Sequence, residues 1–191
     1  MGTKTLKLQK EVRELDGYFK VDTVVVDEFE NGIYTGFQKR SKLTRPDAVS
    51  VLLYNEDTKK VILVKQFRYP IYHKVSESII EVVAGKIDEH ETPKQAAVRE
   101  VFEEVGYVID EDKLSKPIEM YASPGYSTET IYIFLAVVKN SDKDPSAGGG
   151  LKDEHEDIDI IEMSPEEFIA KIDNNEIKDS KTIIASRLIK V

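Results

Sequence analysis

There is no cysteine among the 191 residues, which removes disulfides and thiolate metal sites from consideration. No apolar run approaches the roughly 20 residues a membrane-spanning helix needs. The opening stretch, MGTKTLKLQKEVRELDG, lacks the apolar segment of a secretory signal. Met1-Gly2 begins like a myristoylation site, but Leu6 stands where that motif requires Ser or Thr. A cytoplasmic protein without a membrane partner is expected. Basic residues are also in deficit: the formal charge is −9, which argues against nucleic acid, whose phosphates call for a basic surface. A small phosphorylated substrate stays compatible with that charge, because a bound metal ion supplies positive charge locally.

What the chain does have is enough length to bury a real core, as one domain or one domain with a small appendage. Two β-rich segments come first, Tyr18 to Phe29 and Ile33 to Arg40, joined by a hairpin-like turn at Glu30-Asn31-Gly32. Apolar residues fall on both faces of the first segment, so this pair must pack on something. Ala48 to Tyr54, Lys60 to Phe67, Ser78 to Ala84, Ile118 to Ala122, Thr130 to Val138 and Asp157 to Met163 also read as strands. Residues ahead of Tyr18 carry no usable signal. A helix start at Ser164-Pro165 and a last helix over Thr182 to Val191 complete a mixed α/β or α+β pattern.

The most informative segment is GKIDEHETPKQAAVREVFEEVGY, Gly85 to Tyr107. Thr92 serves as N-cap, Pro93 as first helical residue and Gln95 as the capping-box partner, with Gly106 as the stop. Val98, Val101, Phe102 and Val105 gather on one side of this helix, with Glu100, Glu103 and Glu104 opposite, together with Ala96. Like charges on neighbouring turns repel by about 0.2–0.5 kcal/mol per pair, so the glutamates either face bulk water or hold a cation. Carboxylate oxygens without Cys or His suit Mg²⁺ or Mn²⁺, and Mg²⁺ sites commonly draw further ligands from substrate phosphates.

Gly85, Glu91, Arg99-Glu100-Val101, Glu103-Glu104 and Gly106-Tyr107 fit the pattern G-x5-E-x7-R-E-U-x-E-E-x-G-U, where U is bulky and apolar. The chain thereby resembles the Nudix hydrolases; only Tyr107, in place of an aliphatic residue, is unusual. The resemblance implies an α/β/α sandwich with a mixed central sheet over residues 46–191. It implies a small N-terminal antiparallel sheet over residues 1–45, exchanged between subunits of a homodimer in the nucleoside-diphosphate-sugar branch. Glu100 and Glu104 are then the leading metal ligands, with the backbone carbonyl of Ala84 added by resemblance. Glu103 is next in line, and Arg99 is an ion-pair partner that orients the glutamates. Glu91 gives either support or a water-mediated contact.

Further elements resemble that branch. Gly150-Leu151-Lys152-Asp153-Glu154-His155-Glu156-Asp157 matches a GLxDExED stretch that supplies a general base and a metal ligand, implying Glu154 and Glu156 for those roles. The preceding glycines would make a flexible hinge. Ser123-Pro124-Gly125 followed by Glu129 resembles the SPGxxxE element of the substrate pocket. Arg68, in Lys65-Gln66-Phe67-Arg68-Tyr69, is a candidate phosphate or sugar contact; Arg40 and Arg45 resemble substrate-binding arginines. Tyr18 or Phe19 could stack on the base or pack in the core. The implied activity is metal-dependent hydrolysis of a nucleoside diphosphate sugar, of GDP-mannose or ADP-ribose type. Ala147-Gly-Gly-Gly150 and Glu176 to Thr182 lean toward the former. A non-catalytic sugar-nucleotide sensor and a nucleoside triphosphate pyrophosphatase are the alternatives.

Overall fold

The computed structural model describes residues 2–151 and 157–189. The chain forms two compact units, one of residues 1–47 and 121–130, the other of residues 48–120 and 131–191.

The first unit is built on a three-stranded antiparallel sheet in which β1 (Lys4–Asp16) and β3 (Ile33–Thr44) flank β2 (Lys20–Glu30). Strand β1 is the element that the sequence did not disclose. Its alternation is carried largely by charged side chains, and nearly all of it is exposed. The β2–β3 turn forms as expected, with Asn31 and Gly32 at positive φ (51° and 81°), the combination a tight hairpin favours. The apolar residues of β2 do not make a core. Its one buried residue is Asp22, aligned across the sheet with Arg13 on one neighbour and Lys42 on the other, and paired with both. A slip of one residue would separate this cross-strand triad, so it helps fix register.

The second unit centres on a seven-stranded mixed sheet. Its path runs β10 (Ile158–Met163), β5 (Lys60–Gln66), β4 (Ala48–Asn55), β9 (Thr130–Val138), β8 (Ile118–Tyr121). Strand β6 (Ile79–Glu81) pairs with β5, and β7 (Val83–Lys86) with β4. The pair β4–β9 is parallel, whereas β4 meets β5 and β7 antiparallel. Val49, Val51 and Leu53 of β4 join Ile62, Val64, Val83, Phe134 and Ala136 in one core cluster under α1 (Pro93–Val105). The alternate residues Leu52, Leu63 and Ile133 are equally buried and face the other way. Helices α2 (Pro165–Asp173) and α3 (Ser180–Ala185) pack on β5 and β4 and bury Phe168 and Ala185.

This is a mixed sheet between helices, the sandwich expected. The last helix is shorter than predicted: α3 begins at Ser180 and passes into a 3-10 turn, Ser186–Leu188. Asp179 caps it, accepting from the Thr182 backbone N–H at 2.9 Å, which moves the start ahead of Thr182.

Candidate active site

Helix α1 starts as its sequence dictates. The Thr92 side chain accepts from the Gln95 backbone at 3.2 Å, and the Gln95 side chain accepts from the Thr92 backbone at 2.9 Å. Pro93 occupies the first turn, and Gly106 ends the helix in the left-handed conformation at φ 65°. The expected division of its faces needs correcting. Phe102 is 42% exposed, while Ala96, Ala97 and Glu104 are buried with Val101 and Val105. The buried arc is therefore wide, and Glu104 lies inside it beside β7. Its carboxylate accepts a hydrogen bond from the Ala84 backbone N–H at 3.3 Å.

Gly85, beside Ala84, makes room for a second carboxylate: a Cβ at this position would overlap the end of the Glu100 side chain, which would have to shift, and the glycine does not have a positive φ. Glu100 and Glu104, one turn apart on α1, are thus brought to the same two residues of β7, Ala84 and Gly85.

Arg99 organises the remaining acids. Its Nε and Nη2 donate to the two oxygens of Glu91 at 2.9 and 3.0 Å, and Nη2 also reaches the Lys86 carbonyl at 3.0 Å. Its Nη1 donates to Glu100 at 2.8 Å and to Glu103 at 3.0 Å. Of the two readings of Glu91, support is the one these contacts favour: it fixes the guanidinium and also accepts from the Asp88 backbone at 3.0 Å. The Arg99 hydrogen bond holds the Glu91 carboxyl below its ordinary range, and the same contact raises the arginine. One guanidinium thus stands among four carboxylic side chains, Glu91, Glu100, Glu103 and Glu104.

Oxygen donors of this kind suit a hard divalent cation. Among the described residues no three acidic or imidazole side chains converge into a ready-made cage. Glu154 and Glu156 lie outside the described residues. The glycines before them are not a free hinge. Gly149 N–H donates to the Glu104 carbonyl at 2.8 Å, and Gly150 N–H to the Glu103 carbonyl at 3.1 Å. Gly148, Gly149 and Gly150 all have positive φ, so this clamp on the end of α1 needs glycine.

The other expected residues divide between the units. Arg68, in the second unit, follows β5 and donates through Nε to Glu81 at 2.7 Å. The remainder belong to the first unit. Tyr18 is 80% exposed in the single chain, and its ring meets Phe19 edge-on. Arg45 pairs with buried Glu129 at 3.5 Å and lies over the Phe19 ring at 5.6 Å. Arg40 is exposed, and among the described residues its side chain donates to the adjacent Lys39 carbonyl at 3.2 Å. Pro124 and Gly125 form an exposed turn closed by Tyr126 and Ser127 N–H groups on the Ser123 carbonyl at 3.1 and 2.9 Å. The turn is held to the end of β3 through Thr128 N–H on the Leu43 carbonyl at 3.0 Å.

One buried cluster was missed in the sequence. Glu81 is 3% exposed and binds Arg68 through one oxygen and Lys181 through the other, at 3.2 Å. Lys181 also reaches Asp179 at 2.6 Å. The available signal was a lone carboxylate in the apolar run Ile79-Ile80-Glu81-Val82-Val83.

Helices on both sides of a mixed sheet, with an arginine-organised carboxylate helix docked on a glycine-bearing strand, define a scaffold for metal-assisted phosphate chemistry. A model of the NUDIX domain matches residues 44–184, and the chain belongs to the Nudix family. It is similar to proteins named GDP-mannose pyrophosphatase. One from Escherichia coli O1:K1 / APEC is 34% identical over 184 residues, covering 95% of this chain and 93% of the relative. One from Citrobacter koseri is 34% identical over 171 residues, covering 88% and 86%. One from Shigella flexneri serotype 5b is 33% identical over 184 residues, covering 95% and 93%.

Two predictions follow from this geometry. Gly85→Ala displaces Glu100 and is expected to lower kcat by about 10²-fold, the scale of an ångström misplacement, in steady-state hydrolysis; unchanged turnover would contradict it. The second concerns pH. Because the folded Glu91 carboxyl is depressed, its contribution to stability is complete above the unfolded value near 4.5 and disappears as pH falls through the lower folded value. Glu91→Gln should therefore flatten the wild-type fall in Tm below about pH 5, as read by thermal unfolding across pH.

Proposed function

We propose that this chain is a Mg²⁺-dependent pyrophosphatase that hydrolyses a nucleoside diphosphate sugar, with GDP-mannose the favoured substrate. The observation that carries the reading is the gathering of Glu100 and Glu104 at Ala84-Gly85 beside the Arg99 cluster. The names and extent of its relatives supply the substrate class.

In the reaction, water oxygen bonds to one phosphorus of the diphosphate and the bridging P–O bond on that phosphorus breaks. The products are a nucleoside monophosphate and a sugar 1-phosphate, and the water proton leaves to a base. Glu100, Glu104, Glu156 and the Ala84 carbonyl are proposed to hold Mg²⁺, with Mn²⁺ as a substitute. When bound, the ion withdraws charge from phosphate oxygens and lowers the barrier to attack. Glu154 is proposed as the base that takes the water proton, with Glu156 as the alternative. Arg99 and Glu103 act on the site by fixing carboxylate orientation, since both are held in the network described above.

Arg68 is proposed to contact phosphate or sugar. Tyr18, Arg40, Arg45, Pro124, Gly125 and Glu129 are proposed to serve base and sugar recognition in a cytoplasmic homodimer that exchanges its N-terminal sheets. The apolar side chains exposed on that sheet, among them Leu6, Leu8, Ile33 and Phe37, support the dimer. Among the described residues no helix is long and apolar enough to cross a membrane.

The test offers purified protein GDP-mannose, ADP-ribose, UDP-glucose and dGTP with Mg²⁺, and identifies products by chromatography. GMP with mannose 1-phosphate is expected from the first, at the highest kcat/KM of the panel. Turnover of dGTP alone would overturn the branch, and ADP-ribose preference would overturn the favoured substrate. Glu104→Gln is expected to abolish this turnover while leaving the fold intact by circular dichroism. Glu154→Gln should lower kcat by about 10²–10⁴-fold, the range for losing a general base; an unchanged value would move that role to Glu156.

A further inference from the structure

We propose that Glu81 is a positioning residue for substrate binding: its buried carboxylate holds Arg68 by Nε and so sets the guanidinium fork toward a two-oxygen acceptor of the substrate diphosphate. The inference rests on the reading of Arg68 as a substrate contact.

A carboxylate on an apolar strand is costly to bury unless it is paired. Glu81 is 3% exposed and meets that requirement twice, with one cation on each oxygen. The two cations are not equivalent. Lys181 is 19% exposed and also lies 2.6 Å from Asp179. The second Asp179 oxygen caps α3 through the Thr182 backbone and accepts the Thr182 hydroxyl at 2.7 Å. That hydroxyl oxygen accepts from Val82 N–H at 2.9 Å, which ties the start of α3 to the residue after Glu81. On this side the cluster is closed by its own hydrogen bonds.

Arg68 is different. It is 38% exposed, and among the described residues its one side-chain hydrogen bond is Nε to Glu81. An arginine used only to neutralise a buried acid gains most by docking its fork on both carboxylate oxygens. Here Lys181 has taken the second oxygen, so Arg68 is gripped at a single point near its stem. The four N–H donors of Nη1 and Nη2 are left for an external planar or tetrahedral oxyanion. The anchor is also well located: Glu81 is three residues before Ala84, about 10 Å along an extended chain. The same short stretch thereby orients Arg68 and receives Glu104.

The experiment measures kcat and KM for GDP-mannose in Glu81→Gln, Glu81→Asp, Arg68→Ala and the double variant Glu81→Gln/Arg68→Ala, with Tm for each. Losing a charge-assisted hydrogen bond predicts a KM raised about tenfold or more in Glu81→Gln, with kcat within about threefold of wild type. Glu81→Asp keeps the charge but withdraws it by one methylene, so a smaller KM increase is expected; it carries the test if Glu81→Gln does not fold. In the Arg68→Ala background, Glu81→Gln should add no further KM increase. An additive increase would mean that Glu81 acts by another route, and the positioning role would fall. An unchanged KM in Arg68→Ala would overturn the reading of Arg68 and this proposal with it. A raised KM there, beside an unchanged KM in both Glu81 variants, would overturn the positioning role alone.

Discussion

Carboxylates crowded on two turns of one helix repel one another, and the architecture around α1 is arranged to hold them despite that repulsion. Arg99 opposes it directly, through contacts to Glu91, Glu100 and Glu103 within 3.0 Å. Glu104 is held differently, by burial against β7 and the Ala84 N–H. The carboxylate oxygens gathered there are the donors a hard divalent cation would use. The capping box at Thr92 and the left-handed Gly106 keep the helix from fraying where these opposing forces act.

The same helix depends on a second restraint at its C-terminal end. The last carbonyls of an α-helix lack intrahelical partners. Those of Glu103 and Glu104 are taken by the N–H groups of Gly150 and Gly149, and Lys143 Nζ donates to the Val105 carbonyl. Burial lowers the Lys143 ammonium from its ordinary range, a cost accepted for that contact. One pair of residues therefore contributes carboxylates to one side of the site and backbone carbonyls to the base of the glycine segment. A shift of α1 must be felt by the chain that leads into the acidic stretch after Leu151. A glycine clamp is a more specific device than a glycine hinge, because it fixes the point at which that stretch begins.

The legible features were those written in local chemistry. Helix α1 was legible because cap, proline, periodicity and stop all agreed within one short segment, and the Asn31-Gly32 turn because its positive φ values select those residues. Strand β1 was not legible, since its pairing with β2 is anchored by Arg13 and Asp22 rather than by an apolar alternation. The placement of Phe102 and Glu104 failed for a related reason. Helical periodicity locates a stripe but not its width, and the partner strand decided that a glutamate would be buried while a phenylalanine was exposed. The role of Gly85 was legible as a required glycine. Its reason, room for Glu100, emerged only when β7 and α1 were brought together.

Long-range pairing also explains why Glu81 escaped notice while Arg68 did not. Arg68 stands in a recognisable local string, whereas Glu81 acquires meaning only from Lys181, separated from it by 100 residues. Such a carboxylate would be an improbable choice if stability were all that selected it, because a well-packed apolar residue commonly serves as well as a buried ion pair. Retaining a charge there is economical only if the charge orients something. Asp179 and Lys181 already form a pair with each other, and Asp179 caps α3 without help from Glu81. The group that loses its orientation without Glu81 is Arg68, the partly exposed cation of the set. The argument for a functional carboxylate thus comes from the asymmetry of its two partners, one enclosed and one open.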